Sequence, residues 1–320
     1  SDVAELLNMN FNIIDGFDNI QDWEQGLGCN GSACGNVYVN YNPEYMPKLL
    51  NGELSKWGYY SNWNTNSATQ NWIGGGETRP IWRGSKSASI DLGGSAGPSR
   101  LGRYLGKSYK DLSLFYMVNI PKNMFPTSCD GGKCQGGEPT GYYEEGKPYT
   151  YISSWKFNTF NMNCGSNECP NRGTYGTHYM VPHIKQNNYG PAPGLIVKAE
   201  NKGGAVGSAN DNDSNLNSLM GDWWGVEFRL RNIDNDTKFV MDIWIYDPLG
   251  NSQHVLRGEE FPIDSSAHGG GGDHFLFGGN NSNSWTWGST MQSHYYVDDF
   301  IVDDGSKGRI GPRYFAIISQ

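Results

Sequence analysis

Residues 226–246 read VEFRLRNIDNDTKFVMDIWIY. Val226, Phe228 and Leu230 alternate with Glu227, Arg229 and Arg231. After the polar turn Asp234-Asn235-Asp236, Phe239, Met241, Ile243 and Ile245 alternate with Val240, Asp242, Trp244 and Tyr246. Successive side chains of a strand point to opposite faces. Two period-two runs joined by Asn and Asp therefore predict an antiparallel hairpin with one apolar face. The opposite face would carry Glu227, Arg229, Asp242, Trp244 and Tyr246. Two readings of that face stay open. It is a solvated surface with cross-strand charge pairs, or it faces carbohydrate, with sugar CH groups stacked on Trp and Tyr and hydroxyls paired with Asp, Glu and Arg.

The same punctuation recurs outward from the hairpin. Ser87–Leu92, Ser113–Ile120 (closed by Pro121), Trp155–Met162, Thr177–Ile184, Gly194–Glu200, His274–Gly278 and Tyr295–Val302 read as strands. Helical patterning is nearly absent, the best stretch being Val3–Met9. Many short antiparallel strands separated by Gly, Asn and Asp predict an all-β fold, a β-sandwich of jelly-roll type with long Gly/Asn-rich loops. Neither a linker nor a solenoid or propeller period divides the chain. The expected organisation is an N-terminal arm over residues 1–14 and one domain over 15–320.

Composition narrows the function classes. Charged residues make up 18% of the 320, below the quarter or so usual in soluble domains. Yet the mean hydropathy is −0.61, so the polarity comes from neutral groups. Aromatics at 13% argue for a folded chain. The net charge of −9 disfavours a nucleic-acid backbone or an anionic lipid surface as partner. The longest apolar runs, Leu112–Ile120 and Phe239–Tyr246, are strand-sized, against the roughly 20 residues of a membrane span.

Six cysteines fall at three identical spacings: Cys29 with Cys34, Cys129 with Cys134, Cys164 with Cys169. Each pair brackets a turn-forming tetrapeptide, so three local disulfides are expected, each worth about 2 kcal/mol for so short a loop. The metal alternative is weaker, since two closed Cys₄ zinc sites need eight cysteines and no His stands at finger spacing. Disulfides place the protein in an oxidising, extracellular setting, with any signal peptide already removed. Four Asn-x-Ser/Thr sequons, at Asn30, Asn212, Asn235 and Asn280, agree with secretion.

Three stretches resemble secreted jelly-roll proteins of the concanavalin A-like group, nearest to polysaccharide lyases of the alginate/glucuronan type and their bacterial relatives. Asp222-Trp223-Trp224-Gly225-Val226-Glu227-Phe228 is similar to their W-x-x-V-E strand. Phe275-Leu276-Phe277-Gly278-Gly279-Asn280, ending in Ser284-Trp285, is similar to their F-F-G-G-x-x-x-S-W segment. Tyr295-Tyr296-Val297-Asp298-Asp299-Phe300-Ile301-Val302 is similar to their closing Y-x-D-D-V-x-V strand. The resemblance covers the last third of the chain and describes scaffold more than active site.

It implies a test of chemistry. A uronate lyase neutralises a carboxylate, removes the C5 proton and protonates the leaving oxygen, with Arg, Lys, Asn or Gln at the carboxylate, His, Lys or Tyr as base and often Tyr as acid. By chain order the working strand would be Thr177–Lys185, where His183, Lys185 and Tyr179 would share one face as catalytic residues. Arg229, Trp244, Tyr246 and Glu227 would bind the polysaccharide. The R-x-M-W-R pattern of these relatives is not matched. A glycosidase would need two carboxylates flanking the bond; Glu144-Glu145 and Glu259-Glu260 do not form its strand pattern.

Calcium is the expected cofactor. Asp211-Asn212-Asp213-Ser214-Asn215 places oxygen donors at alternate positions, without the Gly and distal Glu of an EF-hand. The resemblance adds a calcium between first and last strands, with Asp18 and Asp299 as matching positions. A rival reading is structural: the apolar arm could pair with a neighbour's sheet edge, giving a homo-assembly of filament type.

Overall fold

In the computed structural model the hairpin forms as its alternation predicts. The structure describes residues 10–17, 57–60, 73–74, 80–85, 87–91, 100–121, 129–130, 133–134, 158–162, 183–187, 194–198, 219, 221–235, 238–262, 272–277 and 294–320. Among these the strands are β1 (Ile13–Asp15), β2 (Trp57–Tyr60), β3 (Ile73–Gly74), β4 (Ser87–Asp91), β5 (Arg100–Tyr109), β6 (Asp111–Asn119), β7 (Cys129–Asp130), β8 (Lys133–Cys134), β9 (Asn158–Met162), β10 (His183–Asn187), β11 (Gly194–Lys198), β12 (Trp223–Ile233), β13 (Lys238–Tyr246), β14 (Ser252–Pro262), β15 (Gly272–Phe277) and β16 (His294–Asp304). A 3-10 turn (Gly305–Lys307) and one helix, α1 (Ile310–Ile318), close the chain.

Pairing is antiparallel throughout. The larger sheet has eight strands, in the order β14-β13-β12-β6-β16-β4-β3, with β1 also on β16. A four-stranded sheet runs β2-β5-β15-β9, and β10-β11 and β7-β8 form two-stranded pairs. The two larger sheets face each other through aromatic rings. Tyr116 of β6 meets Phe275 and Phe277 of β15 at 5.8 and 5.0 Å, and Phe300 of β16 meets the same two rings at 5.4 and 6.0 Å. All four are buried. Full burial of one such ring stabilises by about 1.5–3 kcal/mol, so this aromatic layer is the core of an antiparallel β-sandwich.

The Asp298-Asp299 pair sits at a β-bulge. β16 pairs with β4 as far as Val297 and with β1 from Phe300 onward. Its register against β6 shifts between Asp298 and Ile301. Asp299 takes φ 48°, the left-handed region that Asp tolerates better than most residues. The Asp298 carboxylate accepts the backbone N–H groups of Trp82, Arg83 and Asp299 at 3.3, 3.2 and 2.8 Å. The bulge thus lets one strand serve two partners in succession.

The N-terminal boundary expected at 14/15 falls inside β1. Ile13, Ile14 and Asp15 pair with Val302, Ile301 and Phe300 of the same chain, and Val3–Met9 lies outside the described residues. The largest departure from sequence expectation is α1, since no helix was read at the C-terminus. Its nine residues, Ile-Gly-Pro-Arg-Tyr-Phe-Ala-Ile-Ile, hold two β-branched residues at the end and a Gly and a Pro in the first turn. Intrinsic propensity is therefore poor, and tertiary contacts supply its stability.

Candidate functional site

Two faces of the sandwich carry polar positions. The first is the outer face of the larger sheet. Glu227 pairs across the hairpin with Trp244, Gly225 with Tyr246 and Arg229 with Asp242, so the shared face read from alternation is present. Helix α1 lies on it. Phe115, Met117, Tyr246 and Ile301 from the sheet close over Ile310, Tyr314 and Phe315. A side chain at Gly311 would strike the Tyr246 ring, so glycine there is what lets the helix approach.

The polar groups beneath the helix hold it in place. Glu227 is fully buried. Its carboxylate accepts the Ile310 and Gly311 N–H groups at 2.6 and 3.0 Å and the Tyr246 hydroxyl at 2.6 Å. It therefore caps the N-terminus of α1 from a neighbouring strand, a role usually filled by the chain's own cap residue. Burial pushes its acidity toward the protonated form, opposed by these three donors and by Arg309. Burial and the Glu227 carboxylate likewise push the Tyr246 hydroxyl up. Arg309 donates to Tyr246 at 2.6 Å and lies over the Trp244 ring at 4.6 Å. His254 stacks on Trp244 with centroids 4.5 Å apart.

Farther along, Tyr314 donates its hydroxyl to Asp299 and accepts the Trp82 indole N–H at 2.8 Å. Arg83 lies 3.8 Å from the same carboxylate. Asp303, fully buried, accepts Arg313 at 3.0 Å and Lys307 at 3.3 Å. Three carboxylates from β12 and β16 thus grip one helix. The face left open between a solvated surface and a sugar platform is packed instead. Glu227, Trp244 and Tyr246 stand under α1, while half-buried Arg229 is bonded to Asp111 at 3.1 and 3.2 Å.

The second face belongs to the smaller sheet. Phe275 and Phe277 are buried against the larger sheet, so by the pleat positions 274 and 276 belong to the other side. The register there is specific. His274 stands opposite Tyr104 of β5 and Asn161 of β9. Leu276 stands opposite Gly102 and Thr159, Gly58 of β2 opposite Gly102, and Tyr60 opposite Arg100. One row across three strands therefore carries His, Tyr and Asn, with Arg100 four residues from Tyr104 on the same face of β5. His and Tyr can exchange protons near neutral pH once perturbed, and Arg and Asn can bind a carboxylate or hydroxyls.

Strand β10, bearing His183 and Lys185, lies beside β9 and pairs with β11, placing His183 opposite Lys198 and Lys185 opposite Ile196. Of the strand expected over Thr177–Ile184, His183 and Ile184 are described, within β10, and residues 177–182, Tyr179 included, lie outside the described residues. Asp18, Asp211, Asp213, Cys29, Cys34, Cys164 and Cys169 also lie outside them. Cys129 stands opposite Cys134 in the β7-β8 pair. Of the expected calcium positions only Asp299 is described; it takes the Tyr314 hydroxyl and faces Arg83.

Sequence reading places His274 at the start of a strand, next to the Gly-rich run, without making it a candidate site residue. The signal was present in the alternation of His274 and Leu276 with Phe275 and Phe277. Tyr104 and Arg100 were missed because β5, Arg-Leu-Gly-Arg-Tyr-Leu-Gly-Lys-Ser-Tyr, has two interior glycines and weak alternation.

No family model and no curated protein sequence matches the chain. Among solved structures it is similar to the alginate lyase Aly36B, with 12% identity and a TM-score of 0.36 over 87% of this chain and 96% of that one. It is similar to the alginate lyase vAL-1 from Chlorella virus, with 10% identity and a TM-score of 0.36 over 81% of this chain and 97% of that one. The laminarinase of Flavobacterium sp. UMI-01 gives 9% identity and a TM-score of 0.36 over 92% of this chain and 100% of that one.

Proposed function

We propose that this protein is an extracellular jelly-roll protein that recognises a polysaccharide on the outer face of its smaller sheet, and that it cleaves a uronate polymer there by β-elimination. The observation that carries this reading is the row formed by Tyr104, His274 and Asn161, with Arg100 on the same face of β5. In the reaction, His274 takes the C5 proton while Asn161, beside it in the row, holds the uronate carboxylate and stabilises the charge that develops on it, and Arg100 binds the polymer farther along β5. The C5 electron pair forms the C4–C5 double bond, the C4–O bond breaks, and Tyr104 protonates the departing oxygen. His183 and Lys185 of the adjoining strand, with Tyr179, are the rival catalytic set.

The reading includes disulfides Cys29–Cys34, Cys129–Cys134 and Cys164–Cys169, and a structural calcium, at Asp211 and Asp213 or between Asp18 and Asp299. The test is a panel of uronate and neutral polysaccharides, assayed by pull-down and by absorbance near the ultraviolet band of unsaturated uronates, with and without calcium. Binding together with a rising absorbance that His274→Ala abolishes supports the reading. Cleavage lost in His183→Ala or Lys185→Ala and kept in His274→Ala moves the chemistry to β10. Silence across the panel removes the polysaccharide reading.

A further inference from the structure

We propose that Asn235 is an acceptor for an N-linked glycan, carried at the tip of the β12-β13 hairpin. The inference rests on the extracellular setting of the proposed function and adds a modification site to it. Of the four sequons in the chain, only Asn235-Asp236-Thr237 has threonine as its hydroxyl residue, against Ser32, Ser214 and Ser282 in the other three. It is also the one whose asparagine is among the described residues.

The fold puts that asparagine where a bulky group can be carried. Burial falls along β12: Trp223–Phe228 are buried, Arg231–Ile233 half-buried, and Asp234 and Asn235 exposed. The hairpin therefore leaves the sandwich core before it turns. Ile233 pairs with Lys238, so the connection is residues 234–237 and holds the whole sequon. Lys238 lies 3.7 Å from Asp234 and 3.5 Å from Glu260, so the base of the loop faces β14. Ile233 stands about 20 Å beyond Glu227 along β12. A group attached at the tip thus clears helix α1 and its glutamate cap.

Turn geometry accounts for part of this sequence and leaves part over. Asp234 and Asn235 take φ of 50° and 54°, the left-handed region that Asn, Asp and Gly tolerate best. The backbone thus explains a choice among three residue types at position 235. Asn-Gly, the strongest hairpin pair, would place glycine there and remove the acceptor. Nor does the turn require a hydroxyl two residues on, which is what the sequon adds.

The transfer needs reach more than local chemistry. The Asn235 amide nitrogen attacks C1 of a sugar held on a lipid-linked pyrophosphate, the co-reactant of a secretory compartment. The N–C1 bond forms and the C1–O bond breaks, its electron pair leaving with the pyrophosphate. The amide nitrogen gives one proton to a base of the transferring enzyme. The product is a bulky, solubilising surface group.

The test secretes the full chain from a eukaryotic host as wild type, Asn235→Gly and Thr237→Val. Glycine suits a φ of 54° and keeps the turn while removing the acceptor. Thr237→Val keeps the acceptor and removes the hydroxyl. Occupied sites are mapped by mass spectrometry after enzymatic release, which leaves aspartate at each one, and folding is checked by thermal unfolding. The expected result is a glycan on Asn235 of the wild type, and a gel mobility faster by one glycan in both folded variants. Secreted, folded wild type with Asn235 bare overturns the site, whatever the other sequons carry, and leaves the extracellular reading intact. Wild type retained in the host, unfolded and bare, overturns both.

Discussion

The outer faces of the two sheets both place polar or aromatic residues at alternating strand positions, and the larger sheet shows what such residues do when a helix covers them. On the larger sheet each conspicuous polar group has a protein partner. Glu227 caps α1, Asp299 takes the Tyr314 hydroxyl, and Asp303 takes Arg313 and Lys307. On the smaller sheet a histidine, a tyrosine and an asparagine share a row across three strands. Buried acids with complete hydrogen bonding are architecture. Proton-transferring groups in one row across three strands are what the proposed function uses. A motif such as W-x-x-V-E or D-D can therefore be prominent in sequence because it holds a helix down.

The contrast can be broken most severely at His274. His274→Ala is expected to lower turnover of a uronate polymer by about 10²–10⁴-fold, the range of general acid–base groups, with the unfolding midpoint little changed. Loss of fold with loss of activity would make His274 architectural too. Next comes Glu227→Ala, which leaves two helix N–H groups and a tyrosine hydroxyl without their acceptor. About 3 kcal/mol or more of stability should be lost in urea unfolding, at the upper end for a buried charged hydrogen-bonding group. A loss below about 0.5 kcal/mol, the range of neutral surface changes, would show that the carboxylate does not hold the helix.

Tyr314→Phe should cost less, about 1–3 kcal/mol, by leaving Asp299 with Arg83 and the Trp82 indole without its acceptor. The smallest effect is in pH dependence. Glu227 is raised above its ordinary value by burial, so the folded state binds its proton more tightly than the unfolded state does. Its contribution is fully present below the unfolded value, about 4.3, and is lost as pH rises through the higher folded value. Wild type should therefore lose stability relative to Glu227→Gln as pH rises above about 4.3. The same slope in both proteins would remove Glu227 as its cause.

Much of the larger sheet was legible in sequence. The β12-β13 hairpin and β4 follow from period-two alternation, and β6 and β16 from short apolar runs, that of β6 closed by Pro121, buried on both faces between the aromatic core and α1. The helix was not legible. Its Ile-Gly-Pro start and Ile-Ile end carry no local helical signal, and its cap is a glutamate 83 residues upstream. The edge strand β14 was also missed. A bulge at Gly258, φ 60°, where Asp242 accepts the Gly258 N–H at 2.9 Å, breaks the alternation. That bulge, together with Arg257, Glu259, Glu260 and Pro262, guards an otherwise open edge against pairing with another chain. The strand-addition reading draws no support from it, nor from β1, whose partner is β16 of its own sheet. The candidate site was legible only in part. His183 and Lys185 were found on a strand beside the smaller sheet, but the row centred on His274 depends on which residues face one another across strands, and one strand's sequence cannot state that.

The most direct measurement is the affinity of one retained polysaccharide for two variants, His274→Ala and Trp244→Leu, each shown to be folded. Trp244 lies under the helix, between His254 and Arg309, and His274 lies in the row on the smaller sheet. If the smaller sheet is the working face, His274→Ala binds at least about tenfold more weakly and Trp244→Leu binds as wild type does. Weak binding by Trp244→Leu with full affinity in His274→Ala would contradict that assignment and return the site to the larger sheet.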